Sequence, residues 1–500
     1  LGQIPADGLG AVQRLFSAGL GYARAHETIR LPVVPGWVQG TLATRPAVVA
    51  RYQSPSGSFD IIHACLRAVR TSFGRSLPLS AERWIISELL PRHPFSLFVF
   101  SDLDRQHWHF VNVPFAPQTA KRQVHRRLSL RSNEPLALAA HCLSLIDLKE
   151  LASVHPSLSP QLIQRCHDSA FDPDAAAGRF YRECECIYHE LHAELQGHPA
   201  QDRRLRAYAL ELLTRLLFIC IVQRTGLLAG DCRFLTNLWQ AYLRTRPDGG
   251  TFVQDWLEGV FFKVLSSSGQ PRKTLMRNLP PAMRSLLVDL PFLEGGLFSC
   301  GANTGTSEPA HGPVVTDAFF ERMLQFLENH PFTPREDTAL DQQLAMGPAM
   351  LGRVYEGLIN ATEERSQRSK SGIYYTAPTE AGLMCRLALA DWLANHLGCE
   401  HQSLLLRVLF AAGADDERAA DAELSSRGLW PRLKVLVDSV TVVDLACGSG
   451  AFLISMYQVL DGLLTRANRE VGVPETAAER RRRIVATSLH GVDIKEWAVA

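Results

Sequence analysis

Two carboxylates and a short glycine-containing turn are the residues of this 500-residue chain whose types and spacing could do chemistry. Asp444 closes a run containing Val440, Val442 and Val443, and Cys447-Gly448-Ser449-Gly450 follows it. Phe452, Leu453, Met456 and Leu460 then recur at helical spacing, so the stretch reads as strand, turn, helix. Two glycines let the backbone turn tightly and let a ligand approach where a Cβ would clash, and the start of the helix offers N–H groups without intrahelical partners. The second carboxylate, Asp493, ends another apolar strand in LHGVDI, residues 489–494. Together they form a pocket of the nucleotide-binding type.

Phosphate is not the expected guest. The fingerprint G-x-G-x-x-G is incomplete because Leu453 stands at its last position, and no lysine follows as it would in a P-loop. A fixed Asp444 carboxylate would repel a pyrophosphate but can balance the cationic methionine part of S-adenosylmethionine (AdoMet). Asp493 could accept both hydroxyls of a ribose. The same residues also occur as an ordinary glycine turn with two surface aspartates, so a second motif has to choose.

That motif is SGIYYTAP, residues 371–378, which runs into the helical pattern TEAGLMCRLALADWLANHL. GIYYTAP, DLACGSGAF and GVDI in this order resemble the gamma-class adenine-specific DNA methyltransferases, which carry G-x-Y-Y-T-P ahead of the AdoMet loop. Ala377, between Thr376 and Pro378, is the one departure. FLEGGLF (292–298), REDTALD (335–341) and MLGRVYEGLI (350–359) resemble the large single-chain members, the type IIG restriction enzymes and related phage-defence methylases. The first phrase usually has asparagine where Glu294 stands, so Glu294 is assigned no role. The resemblance implies an AdoMet site at Tyr374, Tyr375, Thr376, Pro378, Asp444, Ala446, Cys447, Gly448, Gly450, Phe452, Asp493 and Ile494. It implies double-stranded DNA as substrate and restriction or defence-system subunits as partners. Methyl transfer would go to the exocyclic amine of an adenine flipped out of the duplex and aligned with the sulfonium.

The clamp for that amine, Asn-Pro-Pro followed by Tyr or Phe, does not occur in the sequence. Asn278-Leu279-Pro280-Pro281 precedes the AdoMet loop and breaks the order. No catalytic residue is therefore assigned, and the chain, which stops at Ala500, is expected to be the N-terminal part of the enzyme and inactive alone. Two other classes stay open: an AdoMet-dependent methyltransferase of RNA or protein, which the glycine turn alone would allow, and a non-catalytic AdoMet-binding interaction protein.

Length and composition set the frame. With 46% hydrophobic and 21% charged residues the chain is ordinary globular protein of about three domains, and its strand and helix patterns give the class as α/β. Residues 1–170 are expected to form an N-terminal α/β domain, 171–340 a helical scaffold, and 341–500 the truncated start of a Rossmann-like methyltransferase domain. No run reaches the roughly 18 apolar residues of a spanning helix, so a cytoplasmic protein without a membrane partner is expected. Eleven scattered cysteines in a chain of this size point to reduced thiols. A formal charge of +1 means that any DNA contact must come from local patches.

Along the chain, AVQRLFSAGLGYARA and AERWIISELL read as helices, and Leu97–Phe100 with Trp108–Val113 as a hairpin around SDLDRQ. KRQVHRRLSLR, 121–131, could meet phosphates through Lys121, Arg122, Arg126, Arg127 and Arg131, or form a solvated surface. A nuclease would need clustered carboxylates to hold a metal ion, and only Asp60 and Asp147-Leu148-Lys149 offer themselves, the latter inside a helical pattern. Cys184, Cys186, His189 and His192 do not match the spacings of structural zinc sites. RLRAYALELLTRLLFICIVQRTGLL, 204–228, reads as a buried helix stopped at Gly226. The alanine-rich polar stretch 411–428 reads as an insert, and ERRRRI, 479–484, as an exposed basic helix.

Overall fold

The computed structural model describes residues 9–493 except 72–73, 116–123, 132–135, 156, 197–201, 246–250, 268–272, 275, 278, 280, 294–295, 299–312, 334–340, 348–350, 353, 355–356, 359–375, 377, 412–413 and 449. Its contacts divide the chain into two compact units, Leu1–Glu294 with Pro309–Val354, and Gly295–Glu308 with Tyr355–Ala500. The class is α/β.

The first unit is built on a mixed seven-stranded sheet whose spatial order follows the chain: β1 (Ala23–Thr28), β2 (Ala47–Ser54), β3 (Gly57–Leu66), β4 (Ser96–Asp102), β5 (His107–Asn112), β6 (His125–Arg131) and β7 (Asp341–Gln343). Neighbours pair antiparallel except β3 with β4 and β6 with β7. A parallel neighbour needs a crossover, and helix α1 (Leu79–Leu89) supplies it between β3 and β4. Side chains of β4 alternate between two cores. Leu97 and Val99 join Phe59, Ile61, Trp108 and Phe110 on one face, and Phe98 and Phe100 join Ile62, Ala64, Ile85 and Ile86 on the other. A strand covered on both sides has no use for a polar face, which is why LFVF, residues 97–100, is continuously apolar.

The same unit carries helices α2 (Pro173–Leu195), α3 (Asp202–Gln223), α4 (Phe234–Thr245) and α5 (Asp317–Glu328). Gly226 adopts φ +75°, in keeping with a glycine stop after α3. Trp239, Tyr242, Phe252 and Phe320 stack between α4 and α5 with ring centroids 4.4–5.6 Å apart, and the Tyr242 hydroxyl donates to Asp317 at 3.0 Å.

Two sequence expectations change here. AVQRLFSAGLGYARA is helical only to Gly19; Gly21 turns with φ +77° and the remainder enters β1. Arg127 meets neither phosphate nor solvent: it is fully buried on β6 and its Nε lies 3.0 Å from Glu82 of α1. Arg126 donates to the Asp168 carbonyl at 2.9 Å, while Lys121 and Arg122 lie outside the described residues. Around Glu82, burial and the Arg127 and Arg83 charges push His125 down to about 4, so it is neutral in the folded chain. Asp60 is held by Arg51 at 2.5 Å and His93 at 2.7 Å, and Asp147 caps the helix Leu148–Val154 through the Lys149 N–H. Among the described residues, no group of three or more His, Cys, Asp or Glu could hold a metal ion. His192 instead binds Asp202 at 2.7 Å, and no described helix is long and apolar enough to cross a membrane.

The second unit holds α6 (Pro378–Leu397), α7 (Ala414–Ser426), α8 (Trp430–Ser439), β8 (Val442–Asp444), α9 (Ala451–Val471), α10 (Ala477–Arg483) and β9 (Leu489–Gly491). Its core joins Leu389 and Leu393 of α6 to Leu433 and Val437 of α8 and Leu460, Leu463 and Leu464 of α9. The alanine-rich stretch is not an insert lying apart from this core. It forms α7, buries Ala420 and Leu424, and pairs the 4% exposed Asp421 with Arg466 of α9, whose Nη1 also donates to the Val408 carbonyl at 2.9 Å. The basic helix is likewise tied down: Arg480 and Arg481 both bind Asp461, and Arg483 binds Glu475 and Asp438.

Candidate active-site loop

β8 and β9 run parallel, with Val442 opposite Leu489 and Asp444 opposite Gly491. Both strands therefore end at the same level, and their two carboxylates reach the same loop. The Val492 N–H donates to the Asp444 carbonyl at 2.8 Å and the Cys447 N–H to the Val492 carbonyl at 3.0 Å, which carries the ladder past the strand ends. The Asp493 carboxylate then accepts from the Gly448 N–H at 2.9 Å, so this aspartate clamps the glycine turn.

Asp444 uses its carboxylate differently. Oδ1 accepts from the Ala446 N–H at 3.1 Å, while Oδ2 is buried without a hydrogen-bond partner among the described residues. A buried carboxylate oxygen left unpaired is costly, and a donor or cation brought by a ligand would relieve it. Burial first, and then the charges of Asp493 and Asp444, push the Cys447 thiol up, so it packs as a neutral group.

Two glycines are required by position. Gly450 caps α9 with φ +86° and has open space where a Cβ would stand, so only backbone strain opposes a side chain. Gly450→Ala should lower stability by about 1–2 kcal/mol, the left-handed penalty of an L-residue, measured as a shift of the urea midpoint. At Gly491 a Cβ would come 2.9 Å from Leu453 and 3.0 Å from Cys447 Sγ, so glycine there lets β9 lie against the loop and the first turn of α9.

The structure thus brings together Asp444, Ala446, Cys447, Gly448, Gly450, Phe452 and Asp493 on one strand–loop–helix and its neighbouring strand end. Tyr374, Tyr375 and Ile494 lie outside the described residues. Thr376 is half-buried, and Pro378 opens α6. Two turns along α6 the Cys385 thiol lies 3.5 Å from the Phe452 carbonyl, in the first turn of α9, so the helix that begins at Pro378 packs onto the loop helix. Pro378 and Cys385 are about 10 Å apart along that helix. The clamp of Asp493 on the Gly448 N–H is a role that sequence reasoning missed, since no spacing announces which backbone amide a carboxylate will take.

No family model matches the chain. It is 24% identical over 327 residues to a protein of Methanocaldococcus jannaschii described as "Putative type II restriction enzyme and methyltransferase". The match covers 63% of this chain and 25% of that relative, so the chain spans about a quarter of the length of the relative it resembles. Among solved structures it is similar to the type IIL restriction-modification enzyme MmeI in complex with DNA, at 17% identity and a TM-score of 0.39, over 64% of this chain and 34% of that one. The chain is thus similar to restriction-modification proteins, and the curated relative is also described as a methyltransferase.

Proposed function

We propose that the strand–loop–helix at 442–471 binds S-adenosylmethionine, and that the chain carries the cofactor-binding part of a gamma-class DNA methyltransferase of restriction-modification or phage defence that methylates the exocyclic amine of adenine. The observation that carries this reading is the unpartnered, buried Oδ2 of Asp444 beside a glycine turn clamped by Asp493. The residues present suit the cofactor: a carboxylate for its cationic methionine end, an acidic residue at the end of the next strand for its ribose, and glycines that leave room between them. When bound, AdoMet supplies an electrophilic methyl group. What this chain's residues contribute is position. Asp444 would orient the methionine part, Asp493 would fix the ribose while keeping the turn closed, and Phe452 and the aromatic pair Tyr374 and Tyr375 would wall the pocket. Adenine in double-stranded DNA as the acceptor rests on the GIYYTAP resemblance and accords with the restriction-modification relative.

Calorimetric titration of the chain with AdoMet tests the cofactor. Asp444→Asn should weaken binding by about 1 kcal/mol, the interaction of two unit charges about 4 Å apart in water. An unchanged Kd would remove the assignment of Asp444. Transfer of labelled methyl to duplex DNA tests the acceptor. These 500 residues contain no adenine clamp and should not transfer methyl to any duplex, so robust transfer by them would overturn the carry-over from the family.

A further inference from the structure

We propose that one face of the first unit, where the segment 29–46 joins β1 to β2, grips the sugar–phosphate backbone of double-stranded DNA. The proposal rests on the reading of duplex DNA as substrate, but every residue of this face belongs to the unit that does not hold the AdoMet loop. With a formal charge of +1 the chain exerts no overall pull on a polyanion, and Arg126 and Arg127 are engaged within the unit, so a contact needs another local patch.

The segment supplies that patch. The Ile29 N–H donates to the Pro46 carbonyl at 2.8 Å, one step beyond the Thr28–Ala47 pair that ends the β1–β2 ladder. Arg30 and Arg45 therefore leave the sheet beside each other, both exposed, and like charges at facing positions repel. Two more exposed arginines converge on the same segment. Arg67, just past β3, donates through Nη1 to the Gly40 carbonyl at 2.9 Å, and Arg92, just past α1, donates through Nη1 to the Arg30 carbonyl at 3.2 Å. A guanidinium has five N–H donors, so both keep others for a ligand. Residues 29–46, 66–69 and 90–95 contain no Asp or Glu. Glu27, back along β1, is taken by Arg51 at 3.1 Å, and none of the four guanidiniums meets a carboxylate among the described residues. Four cations gathered without a counter-charge suit a line of phosphates. Trp37, 53% exposed on the short helix Gly36–Gln39, and Val33, 82% exposed, offer apolar contact to the sugars beside them. One exposed indole is not the row of aromatics on which the bases of a single strand stack, and a one-turn helix is too short to lie in a membrane surface, so duplex backbone is the partner that fits.

Binding of a fluorescent mixed-sequence duplex of about 20 base pairs, followed by anisotropy between about 50 and about 200 mM salt, tests the face, since each phosphate contact contributes about 0.9 to the slope of log K against log salt. Arg30→Gln combined with Arg45→Gln should lower that slope by about 1.8, which at about 0.1 M salt is a loss of about sixtyfold. Arg30→Lys combined with Arg45→Lys should keep the slope, because the phosphates read charge. Arg165→Gln should change nothing: Arg165 is equally exposed, but its helix, Pro160–Ala170, packs through Ile163 on the sheet face opposite Ile29. Titration of the same proteins with AdoMet, read separately, decides the cofactor site and not this face. Absence of duplex binding by the parent, a slope kept in the glutamine pair, an equal loss in Arg165→Gln, or tighter binding of a single strand of the same length would each overturn the proposal.

Discussion

Replacing Glu82 with alanine should destabilise the sheet-bearing unit by about 3–5 kcal/mol, read as a lowered urea midpoint at neutral pH. Glu82 projects from α1 with no exposure to solvent and holds two strands at once: His109 Nδ1 of β5 at 2.5 Å, and Arg127 of β6 at 3.0 Å through Nε and 2.9 Å through Nη2. Deleting the carboxylate leaves the guanidinium of Arg127 buried without its counter-charge, and that desolvated charge causes the loss. The double variant Glu82→Met with Arg127→Met should therefore be less damaging than Glu82→Ala alone, because apolar groups of similar volume can replace a buried pair at little cost. Burial by itself would raise the Glu82 carboxyl, but His109 and Arg127 hold it down to about 2, against 4.5 for the ordinary group. A depressed folded value means that the stabilisation is present above about pH 4.5 and is lost as pH falls toward 2. In the alanine variant that acid-sensitive component should vanish from the pH profile. An unchanged midpoint and an unchanged acid limb would show that the cluster contributes nothing.

Why the sequence concealed this cluster follows from its composition. In HRRLSLR the pattern of β6 alternates, but its inward positions include His125 and Arg127, residue types whose default place is water. Only a carboxylate brought from 45 positions earlier makes Arg127 tolerable inside, and nothing local reports that pairing. The same holds for the polar stretch of α7, where Asp421 is buried because Arg466 of α9 meets it. Where the signal is local, the elements were legible. The hairpin of β4 and β5 follows from two apolar runs around SDLDRQ, and α3 from a long apolar pattern ended by glycine. The glycine loop belongs with these, since strand, turn and helix all lie within residues 442–471. The parallel partner of β8 does not: LHGVDI shows a strand, but only the sheet register puts Gly491 opposite Asp444 and so aims Asp493 at the glycine turn.

That register gives the second large effect. Asp493→Ala should weaken AdoMet binding by about 1–3 kcal/mol, the loss typical of a charged hydrogen-bond acceptor, and it should do so by two routes. One is the ribose contact assigned to the carboxylate. The other is the turn itself, since the Gly448 N–H now loses the acceptor 2.9 Å away and the loop is no longer pinned to the end of β9. The routes separate with Asp493→Asn, whose side-chain oxygen can still accept from Gly448 while the charge and one acceptor are gone. If the turn dominates, asparagine restores most of the affinity and also the thermal stability that alanine removes. If the ribose contact dominates, asparagine binds nearly as weakly as alanine although its stability matches the parent. Calorimetry for affinity and thermal unfolding without ligand for stability, measured on all three proteins, distinguish these outcomes. An alanine variant that binds AdoMet as tightly as the parent would remove Asp493 from the site and leave it as a structural clamp alone.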